Sequence, residues 1–296
     1  MTSSRPTPVR SSRSSAAPGS ARALLALLLL AAPLRAHDHW IEPSTFHPAA
    51  GERVDLHLCV GHPGASEDQL RDPRHFVRFE AFGALGSQPV LGLDGKAPAG
   101  LLRAKQPGAV LVAFQSDHAL VELDPSKYAA FLAQEGLADV QAERERRAET
   151  ALPGRDSYAR FDKALVVAGE GGSTAGFDRV VGMPLELVLE TDPAAWRPGG
   201  ALVLRLEFGG EPLADRQIKL VGLAAPHRTV LARTDAAGRA RFDPPDAGAW
   251  CAFAVHQRRA TSEQHLEGDW EGFWASFAFE LGSASSAIAQ SPGSQR

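Results

Sequence analysis

Apolar and polar residues alternate over Val54-Asp55-Leu56-His57-Leu58-Cys59-Val60, the period-two pattern of a strand with one buried face, and residues 61–64 supply the break. Similar runs cover residues 76–82, 108–114 and 119–123, separated by Gly- and Pro-rich turns such as Leu93-Asp94-Gly95-Lys96. The pattern changes over about residues 125–150. Asp124 or Ser126 can cap a helix there, the following residues favour one, and Gly136 divides it in two. Residues 143–147 read as a solvated helical face. A strand over 164–168 leads into a glycine-rich loop at 169–176. Residues 185–189 then alternate poorly and meet Thr191-Asp192-Pro193, where a domain boundary is expected. Beyond it, short strands recur at 202–208, 217–221, 229–233, 240–242, 249–255 and 276–280 between Gly, Pro and Asp turns, the spacing of an antiparallel sandwich. The predicted architecture is mostly β. A β-rich amino-terminal domain over 37–190 carries the helical insertion, and an immunoglobulin- or transthyretin-like β-sandwich follows over 191–282. Residues 283–296 are mainly Ser, Ala, Gly and Gln with little to bury, which predicts a disordered tail.

The amino end departs from this pattern. Arg5, Arg10, Arg13 and Arg22 stand among Ser, Thr and Pro with no acidic residue, followed by the apolar run Ala23-Leu24-Leu25-Ala26-Leu27-Leu28-Leu29-Leu30-Ala31-Ala32. That run suits the core of a secretory signal and falls short of the ~20 residues of a spanning helix. Leu34-Arg35-Ala36 ends in the small residue that signal peptidase needs, so residues 1–36 are expected to be a signal peptide, cleaved near Ala36, of a periplasmic or secreted protein. A mitochondrial transit peptide shares the Arg and Ser content but is amphipathic, whereas this apolar block is uninterrupted.

Losing Arg5, Arg10, Arg13, Arg22 and Arg35 takes the formal charge from −4 to −9. An acidic chain without a basic stripe argues against nucleic-acid binding, and no second apolar stretch is long enough to span a membrane as a helix. Cys59 and Cys251 are the two cysteines. Bridged, they would tie early and late strands together and stabilise the fold by about 4–5 kcal/mol in the chain-entropy model. Buried and unpaired thiols are the equal alternative, because sequence does not give the Cα separation.

Cleavage after Ala36 would expose His37-Asp38-His39-Trp40 with a free α-amine, placing amine and imidazole nitrogens within three residues. Such an amine is a ligand near neutral pH because its pKa is about 7.7–8.0. Two exclusive arrangements follow. In the first, the amine, the amides of Asp38 and His39 and the His39 imidazole form the square-planar nitrogen set suited to Cu(II) or Ni(II). In the second, the amine and the His37 imidazole chelate the ion and another histidine completes the site. The bland alternative is a flexible polar terminus with two incidental histidines. His62 on a turn and His256 at a strand end are the candidate additional donors. No GxSxG, HExxH or phosphate-cradling glycine loop is present, so no catalytic residue is assigned.

Several segments together resemble a family of exported bacterial proteins that carry a domain of unknown function. Members are often described as the periplasmic component of nickel or cobalt uptake systems. The resemblance rests on His37-Asp38-His39-Trp40-Ile41-Glu42-Pro43, Val60-Gly61-His62, residues 128–137, Tyr158-Ala159-Arg160-Phe161-Asp162-Lys163, Gly182-Met183-Pro184-Leu185-Glu186-Leu187, Thr234-Asp235-Ala236-Ala237-Gly238-Arg239 and the Trp-rich residues 269–277. It implies transition-metal handling, with His37, His62 and His256 at the histidine-bearing positions, and a membrane transporter or other envelope protein as partner. His39 departs from the family's commoner aromatic or apolar residue. The expected function is thus binding of a divalent transition metal (Ni, Co or Cu) for uptake or delivery. A copper-dependent oxidative enzyme and a metal-free β-sandwich module for protein or glycan remain as alternatives.

Overall fold

The computed structural model describes Met1 and residues 37–244, 246–261 and 267–282. The signal segment expected before His37, its cleavage point and the tail expected over 283–296 lie outside the described residues.

Chain order gives β1 (Asp38–Pro43), β2 (Arg53–His62), β3 (Ala65–Gln69), β4 (Phe76–Gly83), β5 (Gly86–Pro89), β6 (Gly100–Arg103), β7 (Gly108–Ser116) and β8 (Ala119–Leu123). Two helices follow, α1 (Pro125–Gln134) and α2 (Ala138–Arg146), and then the long β9 (Gly154–Ala168) and β10 (Leu185–Leu189). The remainder is β11 (Leu202–Phe208), β12 (Glu211–Pro212), β13 (Gln217–Gly222), β14 (Thr229–Arg233), β15 (Arg239–Phe242), β16 (Gly248–Arg259) and β17 (Trp270–Leu281).

These strands form three sheets. The largest has the order β14-β13-β16-β17-β9-β7-β4-β5, with β8 also on β9; the second is β1-β2-β3 with β6 on β2, and the third is β10-β11-β12 with β15 on β11. The large sheet is the middle layer. One of its faces supplies Leu111, Phe161, Ile218 and Phe277 to a core shared with Leu187 and Leu204 of the third sheet. Its other face supplies Val112, Phe114, Val166 and Phe253 to a core shared with Trp40, Leu56 and Leu58 of the second. Successive side chains on a strand point to opposite faces, so the middle strands are apolar on both sides. That is why residues 164–168 read as one short apolar run, whereas the strand that contains them, β9, is 15 residues long. Residues 276–280 likewise belong to the 12-residue β17.

The fold is mostly β, with stacked sheets and a helical insertion, as the hydrophobic pattern predicts. The boundary expected near residue 190 is crossed by the middle sheet, because β17 pairs in parallel with β9, Trp270 opposite Asp156 and Ala278 opposite Ala164. The described residues from His37 onward form one compact unit. In the insertion, Asp124 stands at the helix start ahead of Pro125, and Gly136, at φ 68°, ends α1. Tyr128, Leu132, Leu137 and Val140 pack on Val255, Trp270 and Trp274. The expected solvated face at 143–147 needs one correction. Arg144 is buried, with its Nη2 donating to the carbonyls of Glu149 at 2.7 Å and Leu152 at 2.6 Å. A guanidinium has enough donors to bind the carbonyls of the chain leaving α2, and so ties that segment to the helix.

Cys59 and Cys251 are both buried and free, on strands that flank the same core, so the bridged alternative is not realised. Burial pushes the Cys59 thiol up to about 12 and Cys251 well above its ordinary value. Few thiolates form at such sites, which makes both sulfurs poor nucleophiles and poor ligands. Among the described residues no helix is long and apolar enough to cross a membrane.

Candidate functional site

β1 lies beside the middle sheet, against β9 and β17. β1 pairs with the end of β2, with Asp38 opposite Gly61, which brings the His37 and His62 rings to a centroid separation of 5.8 Å at an interplanar angle of 71°. Gly61 has φ 138°, and a Cβ there would lie 2.5 Å from the Ala65 carbonyl oxygen, so only glycine lets β2 turn tightly into β3 at this point. The turn presents His62 with its side chain about half exposed.

Between the two histidines sits Asp38. Its carboxylate accepts from the Lys219 ammonium at 2.7 and 2.9 Å and from His62 Nδ1 at 3.3 Å. Burial alone would raise this carboxyl; the His62 hydrogen bond and then the Lys219 charge outweigh it and hold it below its ordinary range. Lys219 reaches the site from β13 and also lies over the Phe253 ring, 5.3 Å from its centroid. At the end of α1, Glu135 is buried close enough to Lys219 and Asp38 to feel both charges. Burial raises its carboxyl, with Lys219 opposing and Asp38 adding to the rise.

A hydrogen bond from Nδ1–H to a carboxylate fixes the His62 tautomer with its lone pair on Nε2. This is the usual support for an imidazole that binds a metal. Two imidazoles bound through nitrogen to one ion at about 2.0–2.1 Å would have ring centres roughly 4.5–6.4 Å apart, depending on the nitrogen–metal–nitrogen angle. The His37–His62 spacing of 5.8 Å falls within that range. Among the described residues no group of three or more His, Cys, Asp or Glu side chains is arranged to hold a metal ion.

The other two candidate ligands lie elsewhere. His39 points the opposite way from Asp38 along β1 and is buried, its Nδ1 bonded to Asp162 Oδ2 at 2.5 Å and its ring tilted against Phe114. Asp162 also accepts from Ser276 Oγ at 2.7 Å. Burial lowers the His39 pKa, with the Asp162 charge opposing, so the ring tends to be neutral and holds sheets together through a hydrogen bond. An imidazole committed in this way cannot swing out to close a square-planar set with the amides that precede it. His256 lies on the far face of the middle sheet from Lys219. It meets Phe208 edge to face, stacks on Phe273 and accepts at Nδ1 from Arg216 Nε at 3.1 Å. Burial, then the Arg216 charge, pushes its pKa down to about 4. Alternation along β16 causes this separation: Phe253 faces the core that contains Trp40, while Ala252 and Ala254 face the other.

Sequence reasoning identified His37 and His62 but gave no role to the Asp38 side chain, Lys219 or Glu135. Asp38 carried a signal in its position between two histidines. Lys219 carried none, since a lysine alternating with Ile218 and Leu220 is ordinary for a strand, and 181 residues separate it from Asp38.

A family model described as a domain of unknown function, DUF4198, matches residues 34–258. No curated protein matches the chain. A solved structure, the D0-D1 domain of Intimin, aligns over 82% of this chain and 97% of its own length at 13% identity and a TM-score of 0.20, too low to bear on fold or function.

Proposed function

We propose that this chain, which belongs to the DUF4198 family of domains of unknown function, binds a divalent transition metal outside the cytoplasm and takes part in its uptake or delivery. The ligands are the His37 imidazole, the α-amine that cleavage after Ala36 would create, and the His62 imidazole through Nε2. The observation that carries the reading is the pairing of the two rings at 5.8 Å with Asp38 on His62 Nδ1. Asp38 and Lys219 orient His62 and keep charge close to balance beside the ion. The all-nitrogen donor set suits Ni(II), Co(II) or Cu(II), with Cu(II) the tightest on affinity order alone. A membrane transporter or another envelope protein is the partner class that fits such a role. An oxidative copper enzyme would use the same ligands, and metal-dependent oxidation of a reductant would distinguish it.

The test is intact mass and metal titration on protein secreted by a bacterial host. A start at His37 with one metal bound, lost in His37→Ala and in His62→Ala but kept in His256→Ala, supports the reading. Asp38→Asn is expected to weaken binding by about 10–100-fold, as for other groups that orient a ligand. Retention of metal in His62→Ala would point instead to the square-planar set through His39. A different start, or no tight metal near neutral pH, leaves a metal-free β-sandwich binding module as the better description.

A further inference from the structure

A groove of about 450 Å³ opens between the β4–β5 turn, the segment joining β6 to β7 and the loop after β9. Its volume is in the range of small-molecule sites, about 300–1,000 Å³. Phe82, Leu85 and Pro107 line it with apolar surface, and Leu85 is exposed there. Arg103, Lys105 and Arg179 line it with positive charge, and no aspartate or glutamate is among the described residues of its wall. Such a lining is notable in a chain with more acidic than basic residues overall. Arg103 gives one N–H to the Gly51 carbonyl at 3.0 Å. Among the described residues neither Lys105 nor Arg179 has a carboxylate within ion-pair distance.

The groove is separate from the histidine pair. Of its lining residues on β7, Gly108 faces Ala168 and Val110 faces Val166, at the far end of β9 from Arg160, whose guanidinium donates to the His37 carbonyl. We propose that the groove binds a small organic anion: an apolar ring or short chain on the Phe82, Leu85 and Pro107 surface, ending in a carboxylate or sulfonate that Lys105 and Arg179 hold. Charge-assisted hydrogen bonds supply the anion selectivity and the exposed leucine the apolar contact.

Fluorescence titration of the intact protein with anilinonaphthalene sulfonate tests this. One saturable site is expected, displaced by decanoate and weakened on the order of tenfold in each of Lys105→Glu and Arg179→Glu, as for the loss of one charge-assisted contact. Leu85→Ser should weaken it too, and His37→Ala should leave it unchanged. No saturable binding, unweakened affinity in both charge-reversed variants, or equal competition by the neutral phenylnaphthylamine would overturn the proposal. Loss of binding in His37→Ala would overturn it as well, because the probe would then report on the other site.

Discussion

Asp156 shows how one residue couples the fold to pH. It is buried on β9, accepts from Gln257 Nε2 at 2.6 Å and makes no ion pair among the described residues. Burial, with the Glu271 charge adding, pushes its carboxyl from an ordinary 3.8 to about 7. The folded state therefore holds this proton more tightly than the unfolded state does. Its contribution to stability is greatest below about pH 4 and declines as the pH rises to about 7. Asp156→Asn, which mimics the neutral acid, is expected to raise the thermal midpoint at about pH 8 by an amount worth a few kcal/mol, with the gain gone near pH 4. A gain of the same size at both pH values would mean that the ionised carboxyl is not its source. Pairings at this scale were the least legible in the sequence. Nothing marks Asp162 as the partner of His39, or Lys219 as the partner of Asp38, because folding alone brings these residues together.

Single elements were easier to read where one face is wet. β2 and β4 follow the alternation of the sequence, and Gly136 divides the helical segment as expected. The misses have distinct causes. β3, Ala65–Gln69, is polar and mostly exposed and is held only by its ladder with β2, so no hydrophobic signal marks it. β1 is buried almost throughout because it lies between β2 and the middle sheet, so a segment that could read as a flexible polar terminus packs His39 inside and leaves His37 partly buried just before it. At Gly136 the turn itself can be tested. Its φ is 68°, and a methyl group added there would lie 2.9 Å from Gln217 Cβ, which leaves little room for a side chain. Gly136→Ala should lower the unfolding free energy by about 1–2 kcal/mol in chemical denaturation. An unchanged midpoint would mean that the α1–α2 turn relaxes freely.

For the whole molecule, the middle sheet determines what can stand alone. A fragment covering residues 37–190 keeps β9 but loses β17 beside it and the third-sheet strand β11 on which β10 pairs. Leu185, Leu187 and Leu189 would then face water, each at a cost of about 1.5–3 kcal/mol. The fragment is expected to show no cooperative thermal transition by circular dichroism, and a sharp one would establish an independent amino-terminal domain. The position of β17 also has a consequence in time. A chain made from its amino end holds every strand from β1 to β16 before the one that belongs at the centre of its largest sheet. Until residues 270–281 have emerged, β9 and β16 have no shared neighbour, and closing the sheet must wait for contacts over more than 100 residues. Synthesis must therefore run past residue 281 before the largest sheet can close.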